Sequence, residues 1–367
     1  MPNPVPKLRT RKPTCVVPYP LVLVEGEEKG GKTFEAARFS GSPHVGNVYW
    51  LELGEDSADE YGAVEGADYE LIEHNGTYRD IMGQVEAVHA ESKRAAAAGE
   101  KPVVLVIDSG SQFWRMLVNW TQDRARRSNA GQKALKYDPD AEIKPGMNLW
   151  NDAAERWHRL MYFLRTMPGI VVLIARGKEV QALDGAGNPI PNTKTWRVEG
   201  HKSLAFDATV WVRLLRGDDS AYVVGARSLK LKVPREGKPL RVPDFSLEKL
   251  IFEMMGCKQH AQPQATPQLV GDLAQPWVEE VEKTAKEEGL DGLKKLWKTV
   301  GKDESLSRDE INVIRAAMER EAAALTNPPK LDDPTSEAAR LRAAAAAAEE
   351  EQERERDPFA DDLPTAA

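Results

Sequence analysis

Short apolar runs alternate with amphipathic stretches over the first half of the chain. The apolar runs predict strands at residues 21–25, 48–53, 69–73, 103–107 and 170–175. The stretches between them have helical spacing and predict helices at residues 32–39, 78–97, 111–127 and 149–166. Strands that alternate with helices are typical of an α/β domain built on a mainly parallel sheet.

The pattern changes after residue 175, where apolar and polar residues begin to alternate. This period of two predicts further strands at residues 180–183, 195–198, 208–215, 221–224 and 228–233. The segment 184–191, with sequence DGAGNPIP, predicts the turn of a hairpin between the first two. We therefore expect a hairpin followed by antiparallel strands at one edge of the sheet.

The C-terminal third divides by composition. Residues 257–275 include a stretch rich in Gln, Pro and Ala and predict a linker, whereas residues 276–326 carry apolar residues at helical spacing. Beyond residue 326 the chain is mostly Pro, Ala and Glu, which predicts a disordered acidic tail. The predicted organisation is a basic arm at 1–15, a core at 16–256, the linker, a small helical module and the tail at 327–367.

Composition and charge limit the functional classes. The 367 residues are 41% hydrophobic and contain two cysteines, too few for a disulfide framework, which favours a reducing compartment. The tail carries −6 of the net charge of −8, so the rest is nearly neutral and nucleic acid is not excluded. No apolar run approaches the roughly 20 residues of a membrane span, and we expect a cytoplasmic protein.

One motif carries the strongest chemical signal. The sequence after the first predicted strand matches GxxxxGK[ST], in residues Gly26, Glu27, Glu28, Lys29, Gly30, Gly31, Lys32 and Thr33. Such a loop turns successive N–H groups toward phosphate oxygens, and the following helix N-terminus favours negative charge. Lys32 should reach the β- and γ-phosphates of ATP, and the Thr33 hydroxyl should ligate Mg²⁺. The alternative is a glycine-rich turn that merely joins strand to helix.

Acidic and basic residues at other predicted strand ends complete this site. Asp108 ends an aliphatic strand and should support Mg²⁺ beside Thr33, although a capping aspartate would look the same. Glu52 and Glu55 are candidates to position the attacking water, with Glu55 favoured, and either could instead be a solvated carboxylate. Arg176 could stabilise charge on the γ-phosphate or simply pair with a surface acid.

These residues resemble the RecA-like branch of the P-loop ATPases, and in particular phage-encoded ATP-binding proteins that include RecA-core single-strand annealing proteins of the Sak type. The resemblance spans roughly residues 16–233. In chain order it rests on Pro18-Tyr19-Pro20 before the loop, Glu55 with Tyr61, VIDS at 106–109, LIAR at 173–176, HKSL at 201–204 and FDA at 206–208. Two positions depart from the family pattern: Arg176 replaces the usual polar amide, and Gly54 falls where the family glutamate would align.

The resemblance implies a RecA-like core that binds ATP and Mg²⁺, assembles into a ring or filament and contacts single-stranded DNA. Lys202 would face the nucleotide of a neighbouring subunit. Two regions occupy the positions of the DNA-contacting loops, with candidate residues Arg124, Arg126, Arg127, Lys133, Lys136, Tyr137, Lys194, Trp196 and Arg197. Cations would track phosphates while Trp196 and Tyr137 stack on bases. Alternatively, the first region is a solvated insertion and Trp196 packs on the sheet.

Two functional hypotheses follow. The first is Mg²⁺-dependent ATP hydrolysis coupled to action on single-stranded DNA in phage recombination or replication, with a helicase-type or other P-loop motor ATPase as an alternative. The second is a nucleotide-gated annealing or scaffold protein with little turnover. A small-molecule kinase is disfavoured because no compact basic lid follows the fifth strand. The tail places Phe359 among acids, which suggests recruitment of phage recombination or replication proteins or, alternatively, a solubilising end.

Overall fold

The computed structural model describes residues 10–185, 187–234, 238–258, 274–301, 303, 306 and 308–326. The chain divides into two compact units, Met1–Thr266 and Pro267–Ala367. Most of the predicted arm and linker and all of the predicted acidic tail lie outside the described residues.

The first unit is built on a single large sheet. Its strands are β1 (Leu21–Gly26), β2 (Val48–Glu52), β3 (Glu70–Leu71), β4 (Val104–Asp108), β5 (Ile170–Leu183), β6 (Pro189–Val198), β7 (Val210–Leu214), β8 (Ala221–Ala226) and β9 (Leu240–Val242). The spatial order is β3-β2-β4-β5-β1-β7-β8-β9, with β6 paired to the extension of β5. In this spatial order the neighbouring strands from β3 across to β7 pair in parallel. Strands β8 and β9 and the β5–β6 hairpin pair antiparallel. The predicted α/β class with an antiparallel edge is confirmed.

Helices cover both faces of this sheet. They are α1 (Lys32–Ser40), α2 (Ala58–Tyr61), α3 (Tyr78–Ala97), α4 (Gly110–Arg127), α5 (Asn129–Tyr137), α6 (Met147–Thr166) and α7 (Leu204–Asp207), with a π-helical segment at Lys249–Met254. Successive side chains of a strand point to opposite faces, so Val22 and Val24 join the core beneath α1, while Leu21 and Leu23 join the core beneath α4 and α6. This two-sided burial explains why the central strands are continuous apolar runs.

The first unit differs from the predictions in several places. Strand β5 runs from Ile170 to Leu183 where separate strands at 170–175 and 180–183 were predicted, and β9 was not predicted. The predicted strand at residues 228–233 is a bend, because the Ser228 hydroxyl accepts hydrogen bonds from the N–H groups of Lys230 and Leu231 and turns the chain. The insertion after α4 contains the helix α5, which Ser128 caps by accepting from the N–H of Gly131 at 3.1 Å.

The second unit contains the predicted C-terminal helical region. Helix α8 (Ala274–Val300) is interrupted at Gly289, whose φ of 63° and ψ of −150° are not helical, and α9 (Arg308–Thr326) follows. Val281, Leu293 and Ile314 are among the buried side chains that join the two helices. Across both units, the described residues include no helix that is long and apolar enough to cross a membrane.

Candidate functional site

The loop between β1 and α1 has a backbone shape that depends on glycine. Gly26 has a φ of +152°, and a Cβ atom there would lie 1.9 Å from the carbonyl oxygen of Leu214 on the adjacent strand β7. Gly31, which immediately precedes α1, has a φ of +85° in the left-handed region. The chain therefore curls tightly from the end of β1 into the first turn of α1, as the sequence motif predicts.

Lys32 lies at the start of α1 and folds back over this loop. Its Nζ donates hydrogen bonds to the carbonyl oxygens of Gly26 at 3.1 Å and Glu27 at 2.5 Å. Burial lowers the pKa of Lys32, while the nearby carboxylates of Asp108 and Glu25 oppose this shift. The ammonium group is thus held at the loop by its own backbone, beside two acids that favour its charged form.

Thr33 and Asp108 meet although 75 residues separate them. Strands β4 and β1 both pair with β5, so their carboxyl ends lie at the same edge of the sheet, and the Thr33 hydroxyl donates to Asp108 Oδ2 at 3.0 Å. Asp108 is only 3% exposed, and this burial raises its pKa to about 6, against the opposing effect of the Thr33 hydrogen bond. A hydroxyl and a carboxylate at one point are the hard oxygen ligands that Mg²⁺ prefers, so these two residues fit the predicted metal role.

Glu55 and Glu52 have different partners. Glu55 accepts a hydrogen bond from the Ser109 hydroxyl at 2.9 Å, directly after Asp108. The Arg176 guanidinium binds the same carboxylate at both oxygens, with Nε and Nη2 each at 3.0 Å. The Glu52 carboxylate instead accepts from the backbone N–H groups of Ser57 and Ala58, at 2.8 and 3.3 Å.

This difference separates the two predicted carboxylates. Glu52 holds the loop that leads into α2, which is a structural task. Glu55 faces the end of β4 and keeps Arg176 within the same cluster, and the guanidinium hydrogen bonds raise the pKa of Arg176. Both carboxylates lie close enough to Asp108 to raise its pKa, but only Glu55 is hydrogen-bonded to Ser109 and Arg176. Lys202 does not join this group of described contacts; it is exposed in the turn before α7 and lines a separate cavity.

The first predicted DNA-contacting region is a basic, exposed helical surface. Arg124, Arg126 and Arg127 occupy the last turn of α4. Lys133, Lys136 and Tyr137 lie on α5, where the Tyr137 side chain is 95% exposed. These side chains are accessible to a ligand, and their contact with DNA stays a prediction.

The hairpin residues have partners that sequence alone did not show. Lys194 pairs with Glu179 across the hairpin at 3.1 Å, and Arg197 is exposed. The Trp196 indole N–H donates to Glu25 at 2.7 Å, and the Arg213 guanidinium lies 4.4 Å from the centre of its ring. These contacts favour the alternative that Trp196 packs on the sheet, and its stacking on a DNA base stays a prediction.

Glu25 is the most important residue that the sequence reasoning missed. Its carboxylate is fully buried at the end of β1 and accepts hydrogen bonds from the N–H groups of Trp196 and Trp211 and from Arg213 Nε, at 2.7, 3.0 and 2.8 Å. Gly177 makes room for it, since a Cβ there would lie 2.1 Å from Glu25 Oε2. A lone acid inside an apolar strand was the available signal, because such an acid requires buried partners.

One comparison with known proteins covers the loop and its surroundings. A family model described as an AAA domain matches residues 20–213. Among solved structures, one titled as the crystal structure of the RadB recombinase is similar over 62% of this chain and 86% of its own, at 12% sequence identity and a TM-score of 0.34. No curated protein matches the chain. The family match covers more than half of the chain, from the strand before the phosphate-binding loop to β7, and on that basis the protein belongs to the AAA-domain family of P-loop proteins.

Proposed function

We propose that this protein binds ATP with Mg²⁺ and hydrolyses it, and that it acts on single-stranded DNA in recombination or replication. The observation that carries the nucleotide part is the 3.0 Å contact between Thr33 and Asp108 at the end of the glycine-dependent loop. The loop and the Thr33 hydroxyl come from one segment and the Asp108 carboxylate from another, and a nucleotide site of this kind requires all of them together.

The chain's own residues divide the work of binding. The curled backbone before α1 would present its N–H groups to phosphate oxygens, and Lys32 would exchange its two carbonyl partners for those oxygens. Thr33 and Asp108 would hold Mg²⁺, which supplies neutralisation of the phosphate charge when it is bound. These roles explain why Asp108 is kept buried despite the cost of its ionisation.

The contacts of Glu55 support its role in positioning water. Its Oε1 already accepts from Ser109 and Arg176, whereas Oε2 accepts one described hydrogen bond, from Arg176 Nη2. A carboxylate oxygen has two lone pairs, so Oε2 retains acceptor capacity for a water molecule. Arg176 fixes the orientation of this carboxylate and adds positive charge at the same edge of the sheet.

The decisive experiment measures ATP hydrolysis by the full chain with and without single-stranded DNA. We expect Lys32→Ala to abolish ATP binding, and we expect Glu55→Gln to retain ATP binding while turnover falls by at least about 100-fold, the lower range for removal of a catalytic base. Glu52→Gln is the matched control, and its turnover should stay closer to that of the unaltered protein. Full ATP affinity in Lys32→Ala would refute the proposal.

The annealing or scaffold hypothesis makes a different forecast for the same variants. If ATP only gates assembly, Glu55→Gln should anneal complementary strands as well as the unaltered protein does. DNA-stimulated hydrolysis that is lost in Glu55→Gln, together with lost strand activity, would favour the motor-like function. The basic surface formed by the end of α4 and by α5 supports DNA contact in either case, since its cations are exposed.

Assembly and recruitment complete the proposal. The resemblance to RecA-like proteins supports a ring or filament in which Lys202 serves a neighbouring subunit, and its exposure fits that role. Light scattering with and without ATP tests the assembly, and loss of hydrolysis in Lys202→Ala without loss of ATP binding tests the residue. Removal of residues 327–367 tests recruitment of phage recombination or replication proteins; unchanged DNA affinity and recruitment would leave the tail a solubilising end.

A further inference from the structure

A cavity of about 610 Å³ opens beside the β5–β6 hairpin, and its lining includes no residue of the phosphate-binding loop. Its walls come from α4, the first half of α6, the end of β6, α7 and β7. Four indole rings line it, those of Trp114, Trp150, Trp196 and Trp211, and we call it the indole cavity. Its volume lies within the range of about 300–1,000 Å³ that is typical of small-molecule sites.

Three of the four indole rings, those of Trp114, Trp196 and Trp211, are held in place by neighbouring side chains. The N–H groups of Trp196 and Trp211 both bind the buried carboxylate of Glu25. Trp114 packs edge-on against Trp157 and against His201, with ring centres 5.9 and 4.9 Å apart. Aromatic walls that are fixed before binding cost little entropy when a planar ligand enters between them.

The charge at the cavity is positive. Arg197 and Lys202 line it and are exposed to solvent, and none of the described residues that line it is an aspartate or a glutamate. Asn151 on α6 adds an amide that can donate and accept hydrogen bonds. A ligand that suits these walls has a flat aromatic part for the indoles and an anionic part for the two cations.

We propose that the indole cavity binds a nucleotide, with its base against the indole rings and its phosphate at Arg197 and Lys202. The inference rests on the proposed action on single-stranded DNA and gives that action a specific base-binding site. An unpaired nucleotide of a strand and a free mononucleotide share this chemistry, so the experiment must separate them. Stacking on aromatic side chains tolerates any base, which suits a protein that binds strands without regard to sequence.

The surroundings connect the indole cavity to the nucleotide site in two ways. A smaller cavity of about 290 Å³ shares Trp114 and Gly200 with it and is also lined by Arg176, the partner of Glu55. Glu25, which holds two of the indoles, directly precedes Gly26 of the loop. A strand in the indole cavity would therefore alter the environment of both Arg176 and the loop, and its binding should change the rate of ATP hydrolysis.

Trp150 is the best residue to remove. Within the described part of the chain its indole has no ring pair and no hydrogen bond, unlike those of Trp114, Trp196 and Trp211. Trp150→Ala should therefore leave the fold intact, which circular dichroism and unaltered ATP affinity would verify. Phe206→Ala is a matched control, since this ring is 83% exposed on α7 and does not line the indole cavity.

The test is titration of a fluorescent oligothymidylate with the full chain across a salt series. We expect Trp150→Ala to weaken binding by roughly 5- to 150-fold, Trp150→Phe to restore much of the affinity, and Phe206→Ala to change nothing. Arg197→Gln should reduce the slope of log affinity against log salt by about one. Thymidine monophosphate, added as a competitor, separates the two sources. If it displaces the oligothymidylate at a similar concentration, the cavity is a mononucleotide site. If displacement requires a large excess, the cavity is a strand site.

Two failures have different meanings. Equal oligonucleotide affinity in Trp150→Ala and the unaltered protein would overturn the inference about the indole cavity and leave the action on DNA standing. An unaltered protein that binds no oligonucleotide at low salt would overturn the proposed action on DNA. In that case we would measure the quenching of tryptophan fluorescence by thymidine monophosphate. Quenching that is lost in Trp150→Ala would still support nucleotide binding in the indole cavity, and no quenching in the unaltered protein would refute it.

Discussion

The buried carboxylate of Glu25 allows a quantitative prediction about what holds the sheet together beneath the loop. We consider Glu25→Leu, which places an apolar side chain of similar length in β1 and removes the hydrogen-bond acceptor. Arg213, whose side chain is only 16% exposed, would then have lost its 2.8 Å partner. The indole N–H groups of Trp196 and Trp211 would lose their acceptor at the same time.

The expected cost follows from these contacts. Removal of one member of a buried ion pair typically destabilises a protein by about 3–5 kcal/mol, because the other charge stays buried without compensation. Arg213 can relieve part of this cost by moving toward water, so we expect the free energy of unfolding to fall by about 3 kcal/mol. The replacement Glu25→Leu combined with Arg213→Met should recover much of the loss, since it removes both charges and keeps the volume.

The assay is urea unfolding followed by hydrogen exchange in the peptides that span β1 and β7. These peptides report on the first unit and not on α8 and α9. Glu91→Ala is the control, because its ion pair with Arg94 lies on the surface of α3, and no measurable change is expected. A free energy of unfolding for Glu25→Leu that equals that of the unaltered protein would refute the reasoning.

Three further predictions concern single sites. Gly26→Ala should greatly reduce both ATP affinity and the melting temperature, because its Cβ would lie 1.9 Å from the fixed carbonyl oxygen of Leu214; values like those of the unaltered protein would contradict this. Burial lowers the pKa of His89 to about 4, so protonation favours the unfolded state and stability should fall as the pH decreases from about 6.5 to about 4. His89→Gln should flatten this part of the melting-temperature profile, and an unchanged slope would disprove the assignment. Arg176→Ala should lower kcat with little change in ATP affinity, because Glu55 loses the two hydrogen bonds that orient it; an unchanged kcat would exclude that role.

Local pattern was sufficient for most of the strands and helices and for the loop. The central strands are continuous apolar runs because both of their faces are buried, and this property is visible in sequence. The motif from Gly26 to Thr33 could be recognised because its chemistry lies within eight consecutive residues. Asp108 was identified for a related reason, since a strand that ends in an acid delivers it to the carboxyl edge of a parallel sheet.

Contacts between distant segments were beyond reach of the same reasoning. The pairing of Arg176 with Glu55 spans 121 residues, and the bond from Trp196 to Glu25 spans 171. The capping bond within the insertion, which begins α5, depends on one serine rotamer and leaves a weak signal in composition.

The sequence by itself therefore determined most of the strand and helix pattern and the phosphate-binding loop, because each depends on neighbours along the chain. Only the tertiary structure decided which glutamate binds Ser109 and Arg176, what Trp196 contacts and that four indoles line one cavity. The physical reason is that hydrogen bonds, ion pairs and ring packing act over a few ångströms in space. Sequence separation does not constrain them until the sheet order has placed β1, β4, β5 and β7 side by side.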